Sequence, residues 1–279
     1  MTENTKQGFE QPQTAQISWS GSFPQNYEDN LKFIFGPYAE DLAGRAEVTS
    51  RTEILELACG TGQVTQQLFA RFGNDLTITA TDLSPDMLAI AKEKLHGANV
   101  VWSTVDMCAI PYEDEKFDLV ICQFGIMFAP DKSKALQEMR RVLKPGGKLL
   151  FSTWGLLSNN RVFEIFNETL ISSMNFDMAG AEQGPFAMQN EQEVLKLLRA
   201  AGFKNADVEA VSKTGESPSA AQAAKGFFQG SQLAANLKEK NPALGEEIQA
   251  AAQQSFIRQL GDNPMQTPLQ AWVFEASKL

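Results

Sequence analysis

Two glycines and a distant carboxylate have the types and spacing that best support a specific chemistry. Gly60 and Gly62 stand where an apolar run gives way to an amphipathic stretch, and Asp82 ends the next apolar run. Glycine permits turn conformations and close approach of a ligand because it has no Cβ atom. In a doubly wound sheet the Asp82 carboxylate would lie beside the glycine turn and accept hydrogen bonds from two ribose hydroxyls. The spacing therefore predicts a nucleoside site.

The same turn lacks two features of pyrophosphate-binding loops. A dinucleotide fingerprint needs a third glycine three positions after Gly62, where this chain has Thr65. No glycine-lysine pair followed by serine or threonine occurs anywhere, so there is no phosphate-binding loop of that kind. A nucleoside without a pyrophosphate is the better fit.

The elements that must position these residues alternate from residue 53 onward between short apolar runs and amphipathic stretches. This alternation is typical of βαβ units and a mainly parallel sheet. The predicted strands are 54–58, 76–81, 99–105, 117–122 and 148–153. The predicted helices between them are 63–72, 85–95 and 133–143. The pattern indicates an α/β fold with the glycine turn between the first strand and the first of these helices.

Beyond residue 154 the alternation weakens. We predict helices at 160–174 and 191–201, a loop at 180–185, and strands at 204–211 and 268–276. The stretch 216–261 reads as helices broken at Gly230 and at Asn241-Pro242. Residues 1–52 are predicted to be a mobile start followed by helices that cap the core, and 53–279 to be one domain. Insertions at about 155–190 and 214–264 would form a lid.

The composition limits the classes of partner that the chain is expected to bind. With 34 acidic and 24 basic residues the net charge is −10, which opposes nucleic-acid binding because that depends on neutralising phosphates. No apolar run reaches the roughly 18 residues of a membrane span, so stable membrane insertion is not expected. We expect a small-molecule partner, and oligomeric state is not indicated.

The single histidine indicates which catalytic chemistry to expect, and the cysteines indicate the cellular compartment. The only histidine, His96, follows a predicted helix, where a helix-dipole role is favoured over catalysis. The three cysteines form no closely spaced pair and no signal peptide is recognisable, which favours a reducing cytoplasm. Cys59 and Cys122 are interpreted as small buried residues, since no basic partner stands beside them.

Four ordered blocks within residues 53–154 resemble the class I S-adenosylmethionine-dependent methyltransferases, including the small-molecule group that contains quinone-biosynthesis C-methyltransferases. The blocks are Glu56–Gly62, Thr81–Leu88, Asp106 with Ile110-Pro111 and Phe117-Asp118, and Arg141–Leu149. The resemblance implies a Rossmann-like, seven-stranded, mostly parallel sheet with an antiparallel last strand. Helices would cover both faces, with helical lid insertions.

The resemblance also implies a cofactor, S-adenosyl-L-methionine, whose product is S-adenosyl-L-homocysteine, and no metal. Glu56 would face the methionine end of the cofactor, Asp82 would hold the ribose, and Asp106 and Met107 would flank the adenine. The implied cofactor-binding positions are Glu56, Ala58, Gly60, Gly62, Asp82, Leu83, Met87, Asp106, Met107 and Gln123. Ala58 departs from the family, where many members have a glycine.

A sulfonium carries an activated methyl group, so transfer mainly requires an aligned acceptor in a water-poor pocket. No protein nucleophile is predicted, and the acceptor is expected to be small and apolar or aromatic. Candidate pocket residues are Tyr27, Tyr38, Gln123 and Phe124. Two other functions stay open from the residues alone: a nicotinamide-dependent oxidoreductase and a non-catalytic nucleoside-binding module.

Overall fold

The structure, a computed structural model, describes residues 19–49, 51–174, 177, 184–230 and 241–279. The predicted mobile start and parts of the two predicted lid insertions lie outside the described residues.

Seven strands form one sheet in the order β3-β2-β1-β4-β5-β7-β6. They are β1 Glu53–Glu56, β2 Thr77–Asp82, β3 Val100–Thr104, β4 Phe117–Gln123, β5 Leu143–Trp154, β6 Asn205–Ser217 and β7 Met265–Ser277. Strands β1 to β5 pair in parallel, and β7 runs antiparallel to both β5 and β6. The predicted fold class is confirmed. The chain order reverses between β1 and β4, which is where an open α/β sheet provides a ligand crevice at its carboxyl edge.

Helices cover the sheet on both faces. They are α1 Phe23–Asn26, α2 Lys32–Gly44, α3 Gln63–Phe72, α4 Pro85–Lys94, α5 Lys132–Val142, α6 Arg161–Met174, α7 Glu191–Ala200, α8 Ala220–Gln229 and α9 Pro242–Leu260. A single π-helical turn, Tyr27–Leu31, joins α1 to α2. The predicted start of α4 is confirmed: the Ser84 hydroxyl accepts a 3.2 Å hydrogen bond from the Met87 N–H, with Pro85 at the first helical position.

Strand β6 is longer than predicted. It continues beyond 211 to Ser217 because residues 212–217 pair with 265–270 of β7. The second helical insertion therefore begins at Ala220, not at 214. The predicted strand ended too early because the residues of the added segment are polar. On an edge strand, exposed polar side chains are compatible with hydrogen-bonded strand pairing.

The N-terminal helices and the second insertion meet over the carboxyl edge. The Asn26 side-chain amide donates to the Gly226 carbonyl at 3.1 Å, and Gln222 donates to the Asp29 carbonyl at 2.8 Å. Helices α8 and α9 pack against each other, and α9 packs on α6. No helix within the described ranges is long and apolar enough to cross a lipid bilayer.

The Arg141–Leu149 block ties the start of β5 to the loop after β3. The Arg141 guanidinium donates to the carbonyls of Ile110 at 2.7 Å and Tyr112 at 2.8 Å. It also pairs with the Glu138 carboxylate at 2.8 Å. Arg141 therefore fastens the loop after β3, which also contains Asp106 and Met107, to α5.

Candidate active site

The glycine turn follows β1 directly and begins α3. Gly60 and Gly62 have φ values of +55° and +78°, in the left-handed region that favours glycine. A Cβ atom on Gly62 would lie 3.1 Å from the Ala91 Cβ, so α4 also limits this position to a small residue. The turn thus presents backbone, without side chains, to the crevice between β1 and β4.

Asp82 converges on this turn. Its Oδ2 accepts a 2.8 Å hydrogen bond from the Gly60 N–H, and its Oδ1 accepts one of the same length from the Ser84 N–H. Burial raises the pKa of Asp82, and these main-chain hydrogen bonds oppose the rise. A carboxylate has about four lone-pair sites, so two remain for further donors. Asp82 therefore faces the turn that contains Gly60, at the carboxyl edge of the sheet.

Ala58 is accommodated by a glycine from another strand end. Ala58 has φ +52°, a conformation that costs a non-glycine residue about 1 kcal/mol. A Cβ atom on Gly125 would lie only 2.4 Å from the Ala58 Cβ, so Gly125 provides the space for the Ala58 methyl. The departure of Ala58 from the family pattern is therefore compensated just after β4.

Glu56 ends β1 and is almost fully buried, at 1% exposed. Its carboxyl group accepts a 2.6 Å hydrogen bond from the Thr65 hydroxyl. Burial raises the pKa of Glu56 to about 8, with a smaller contribution from the Asp82 charge. Thr65, which occupies the position of the missing third glycine, is thus committed to Glu56 and not available to cradle a pyrophosphate.

The two segments that carry four of the implied cofactor-binding positions, Leu83 with Met87 and Asp106 with Met107, differ in exposure. Leu83 is 60% exposed after β2, while Met87 is buried inside α4. After β3, Asp106 is exposed and accepts a 2.8 Å hydrogen bond from the Cys108 N–H, while Met107 is half-buried beside Gly125. Leu83 and Asp106 are therefore reachable from solvent, whereas Met87 contributes to the core.

An aromatic cluster closes the carboxyl ends of β4 and β5. Its rings are those of Tyr27, Phe35, Tyr38, Phe124 and Trp154. Phe124 stacks on Trp154 with ring centroids 4.1 Å apart, and Tyr27 stacks on Phe35 at 4.7 Å. The Tyr38 hydroxyl donates to the Val211 carbonyl at 3.3 Å, so it faces β6. All the predicted pocket aromatics lie in this cluster.

Gln123 ends β4 beside the aromatic cluster. Its side-chain N–H donates to the Phe35 carbonyl of α2 at 3.3 Å, and its amide oxygen has no hydrogen-bond partner. Gln123 thus connects the end of β4 to the N-terminal helices.

The π-helical turn supplies a contact that sequence reasoning missed. The Glu28 carboxylate accepts hydrogen bonds from the Thr61 hydroxyl at 2.7 Å and from the Lys94 ammonium at 2.9 Å. Lys94 also donates to the Thr61 carbonyl at 3.0 Å. This latch, formed by Glu28, Thr61 and Lys94, fastens the N-terminal segment to the glycine turn. No local motif signalled it because the three residues lie far apart in sequence.

The two buried cysteines and the single histidine do not offer a reactive group. Burial raises the pKa of Cys122 to about 12 and raises that of Cys59 as well, so both thiols stay protonated. His96 is exposed, two residues past the end of α4. None of these three side chains is suited to act as a nucleophile.

The sequence comparisons identify methyltransferases. A methyltransferase domain model matches residues 54–147. The ubiquinone/menaquinone biosynthesis C-methyltransferase of Idiomarina loihiensis is 30% identical over 61% of this chain and 72% of its own length. The demethylmenaquinone methyltransferase of Staphylococcus aureus is 32% identical over 58% of this chain and 71% of its own.

Solved structures share the fold. A candidate methyltransferase of Bacillus halodurans has a TM-score of 0.57 at 22% identity, covering 86% of this chain and 98% of its own. A Haemonchus contortus phosphoethanolamine N-methyltransferase, solved with S-adenosylhomocysteine, has a TM-score of 0.56 at 20% identity, covering 91% and 56%. The nicotinamide-dependent alternative is not favoured. The chain belongs to the class I S-adenosylmethionine-dependent methyltransferases.

Proposed function

We propose that this chain transfers the methyl group of S-adenosylmethionine to a small aromatic acceptor that lies against the aromatic cluster. The observation that carries the proposal is the position of that cluster, at the carboxyl ends of β4 and β5 and next to the glycine turn. Aromatic side chains favour flat apolar ligands because they offer large surfaces and offset stacking. The names of the curated relatives, which include a demethylmenaquinone methyltransferase, support an acceptor of this class.

The residues of the turn fit the cofactor. Asp82 keeps lone pairs for two ribose hydroxyls while it holds Gly60 and Ser84. The half-buried thioether of Met107 and the exposed side chain of Leu83 offer apolar contacts to a base. We assign the ribose to Asp82 and the adenine to the Leu83 and Met107 side, with Asp106 accepting from its amino group.

When bound, the cofactor supplies a methyl group on a positively charged sulfur that needs no further activation. The chain's own residues would align the acceptor and exclude bulk water during the transfer, and none would form a covalent bond to the acceptor. The proton displaced from the methylated atom would pass to solvent as the products leave. The stacked rings of Phe124 and Trp154 form one wall, and the Tyr27 ring forms part of the lid. Burial and neighbouring acids raise the pKa of Tyr27, so its hydroxyl stays protonated and acts as a donor, not as a base. As proposed, the transfer requires no metal.

The test is release of S-adenosylhomocysteine with defined acceptors. Reduced demethylmenaquinone is expected to support release, and phosphoethanolamine is not. A Trp154→Leu variant should lower kcat/KM for the quinol while leaving cofactor affinity unchanged, because it removes one wall of the acceptor pocket only. If neither acceptor nor a broader aromatic panel supports release although the cofactor binds, the non-catalytic binding module becomes the better description.

We also infer that the protein works in a reducing compartment, in keeping with the predicted location in the cytoplasm. All three cysteines, Cys59, Cys108 and Cys122, are free thiols, which supports this inference.

A further inference from the structure

Two neighbouring strands of the sheet carry buried polar groups that the fold itself does not use. Gln123 Oε1 and Ser152 Oγ are two of the four buried side-chain atoms without a hydrogen-bond partner among the described residues. Ser152 lies on β5, two residues before Trp154, and is only 1% exposed. A buried polar atom without a partner lowers stability, so a ligand group that pairs with these two atoms gains the bonds that they lack.

Strand pairing places the two side chains next to each other. Gln123 of β4 and Ser152 of β5 are direct partners in the parallel register. Paired residues on neighbouring strands project to the same face of the sheet, and the strands lie about 5 Å apart. The Phe124 N–H donates to the Ser152 carbonyl at 3.1 Å, which holds the two strands together at this point. Gln123 and Ser152 therefore form one polar unit, the amide–hydroxyl pair.

The amide–hydroxyl pair faces the layer that contains the aromatic cluster. Side chains alternate along a strand, so Ser152 shares a face of the sheet with Trp154. The Trp154 ring packs against two rings of α2, with centroid distances of 5.8 Å to Phe35 and 5.7 Å to Tyr38. Gln123 contacts the same helix through its hydrogen bond to the Phe35 carbonyl. The pair thus lies between the sheet and α2, adjacent to Trp154.

The hydrogen bond to α2 also fixes which end of the Gln123 amide is free. The Phe35 carbonyl can only accept, so Gln123 Nε2 faces it and Oε1 is left over. The pair therefore offers one acceptor, Gln123 Oε1, and one hydroxyl, that of Ser152, which both donates and accepts. Both groups are uncharged. A ligand hydroxyl complements them, because it donates to the amide oxygen and accepts from Ser152, whereas a carbonyl or ether oxygen cannot donate.

From these observations we propose that the amide–hydroxyl pair binds a ring hydroxyl of the acceptor and selects hydroxylated aromatic rings over rings without one. Stacking on Phe124 and Trp154 leaves the in-plane orientation of a flat ring free, and a hydroxyl held by the pair fixes it. Because α2 covers the pair, the ring is admitted as α2 moves away from the sheet. The inference rests on the proposed function and deepens it, since it names the polar group of the acceptor and the residues that recognise it.

The test compares two ligands of nearly the same shape. 1-Naphthol carries a hydroxyl group where 1-methylnaphthalene carries a methyl group. Equilibrium dialysis of each ligand against the native protein, saturated with S-adenosylhomocysteine, should show about a tenfold preference for 1-naphthol, as two hydrogen bonds to neutral groups provide. Ser152→Ala should reduce this preference to about threefold or less by weakening 1-naphthol alone.

Two further variants separate recognition from folding. Gln123→Met removes the amide oxygen at similar side-chain length and should also reduce the preference. Ser212→Ala removes an exposed serine from β6, far along the sheet from the pair, and should keep the native preference. Ser152→Ala should bind S-adenosylhomocysteine as tightly as the native protein does, because the pair contacts the acceptor and not the cofactor.

An unchanged preference in Ser152→Ala would overturn the proposal and assign the pair to a bound water. Equal weakening of 1-naphthol and 1-methylnaphthalene would overturn it as well, because it would show an effect on packing. A native protein that binds S-adenosylhomocysteine but neither naphthalene would refute the proposed acceptor pocket together with this inference. Failure to bind S-adenosylhomocysteine would refute the proposed function itself.

Discussion

The main-chain N–H of Gly60 donates a 2.8 Å hydrogen bond to the Asp82 carboxylate, joining the turn after β1 to the end of β2. Asp82 therefore holds the turn, and under the proposed function it also binds the ribose. We expect Asp82→Ala to reduce S-adenosylhomocysteine affinity by more than about a hundredfold, because a charged acceptor of two hydroxyls is lost together with the turn geometry. Calorimetry measures this directly.

The control for Asp82→Ala is Glu93→Gln, which removes an exposed acid on α4. It should leave the affinity unchanged. Circular dichroism should show that Asp82→Ala keeps its secondary structure. An Asp82→Ala protein that is folded and binds as the native chain does would refute the assignment of the ribose to Asp82.

The strands of the sheet could be predicted from the sequence because the spacing of apolar residues reflects which side chains are buried. Strand β4 was predicted at 117–122 and found at Phe117–Gln123, and α3 was predicted with the bounds that it has. Asp82 was predictable because strand ends at one sheet edge converge.

Other features depended on contacts between distant segments. The extension of β6 to Ser217 follows from pairing with β7, which local polarity does not reveal. Glu28 reaches the glycine turn from the π-helical turn, and Gly125 makes room for Ala58 across the sheet. Neither pairing has a fixed sequence spacing, so neither could be read from the chain alone.

The latch of Glu28, Thr61 and Lys94 should control how fast the cofactor leaves. Both charged side chains are at most 19% exposed, so the pair is stronger than an ordinary surface ion pair. We expect Lys94→Met to raise the S-adenosylhomocysteine dissociation rate about fivefold to tenfold, since roughly 1 kcal/mol of lid closure is lost.

Stopped-flow displacement measures the dissociation rate. Lys92→Met, which removes an exposed charge from the same helix, should not change it. An unaltered rate in Lys94→Met would mean that the N-terminal segment does not gate the site.

The Arg141–Glu138 pair should contribute stability that acid removes. The Arg141 guanidinium lowers the pKa of Glu138 to about 2. A carboxyl group with a lowered folded-state pKa stabilises the fold above its ordinary pKa of 4.5, and this contribution is lost as the pH falls from there towards 2. Arg141→Met should therefore destabilise the protein by about 2–3 kcal/mol near neutral pH, and less at about pH 3.

Urea denaturation at the two pH values measures this difference. Arg141→Lys should recover only part of the loss, because an ammonium cannot replace the fork that also donates to the Ile110 and Tyr112 carbonyls. Full recovery by lysine would show that charge alone matters and that the loop after β3 is held by other contacts.

Glu56 should make the ligand-free protein less stable as the pH rises. Burial raises its folded-state pKa to about 8 from an ordinary 4.5, so the folded protein keeps a proton there that the unfolded chain releases. The sign follows from linkage: stability is highest below the ordinary pKa and falls as the pH rises through the window up to about 8. Glu56→Gln keeps the size and an acceptor for Thr65, and it cannot ionise. Its free energy of unfolding should therefore decline less than that of the native chain between about pH 5 and pH 8, by a few kcal/mol.

Urea unfolding across that range measures both slopes, with Glu93→Gln as the control that should retain the native slope. Parallel curves for Glu56→Gln and the native protein would show that Glu56 is ionised in the folded state, and that the acid facing the glycine turn carries its charge before any ligand arrives.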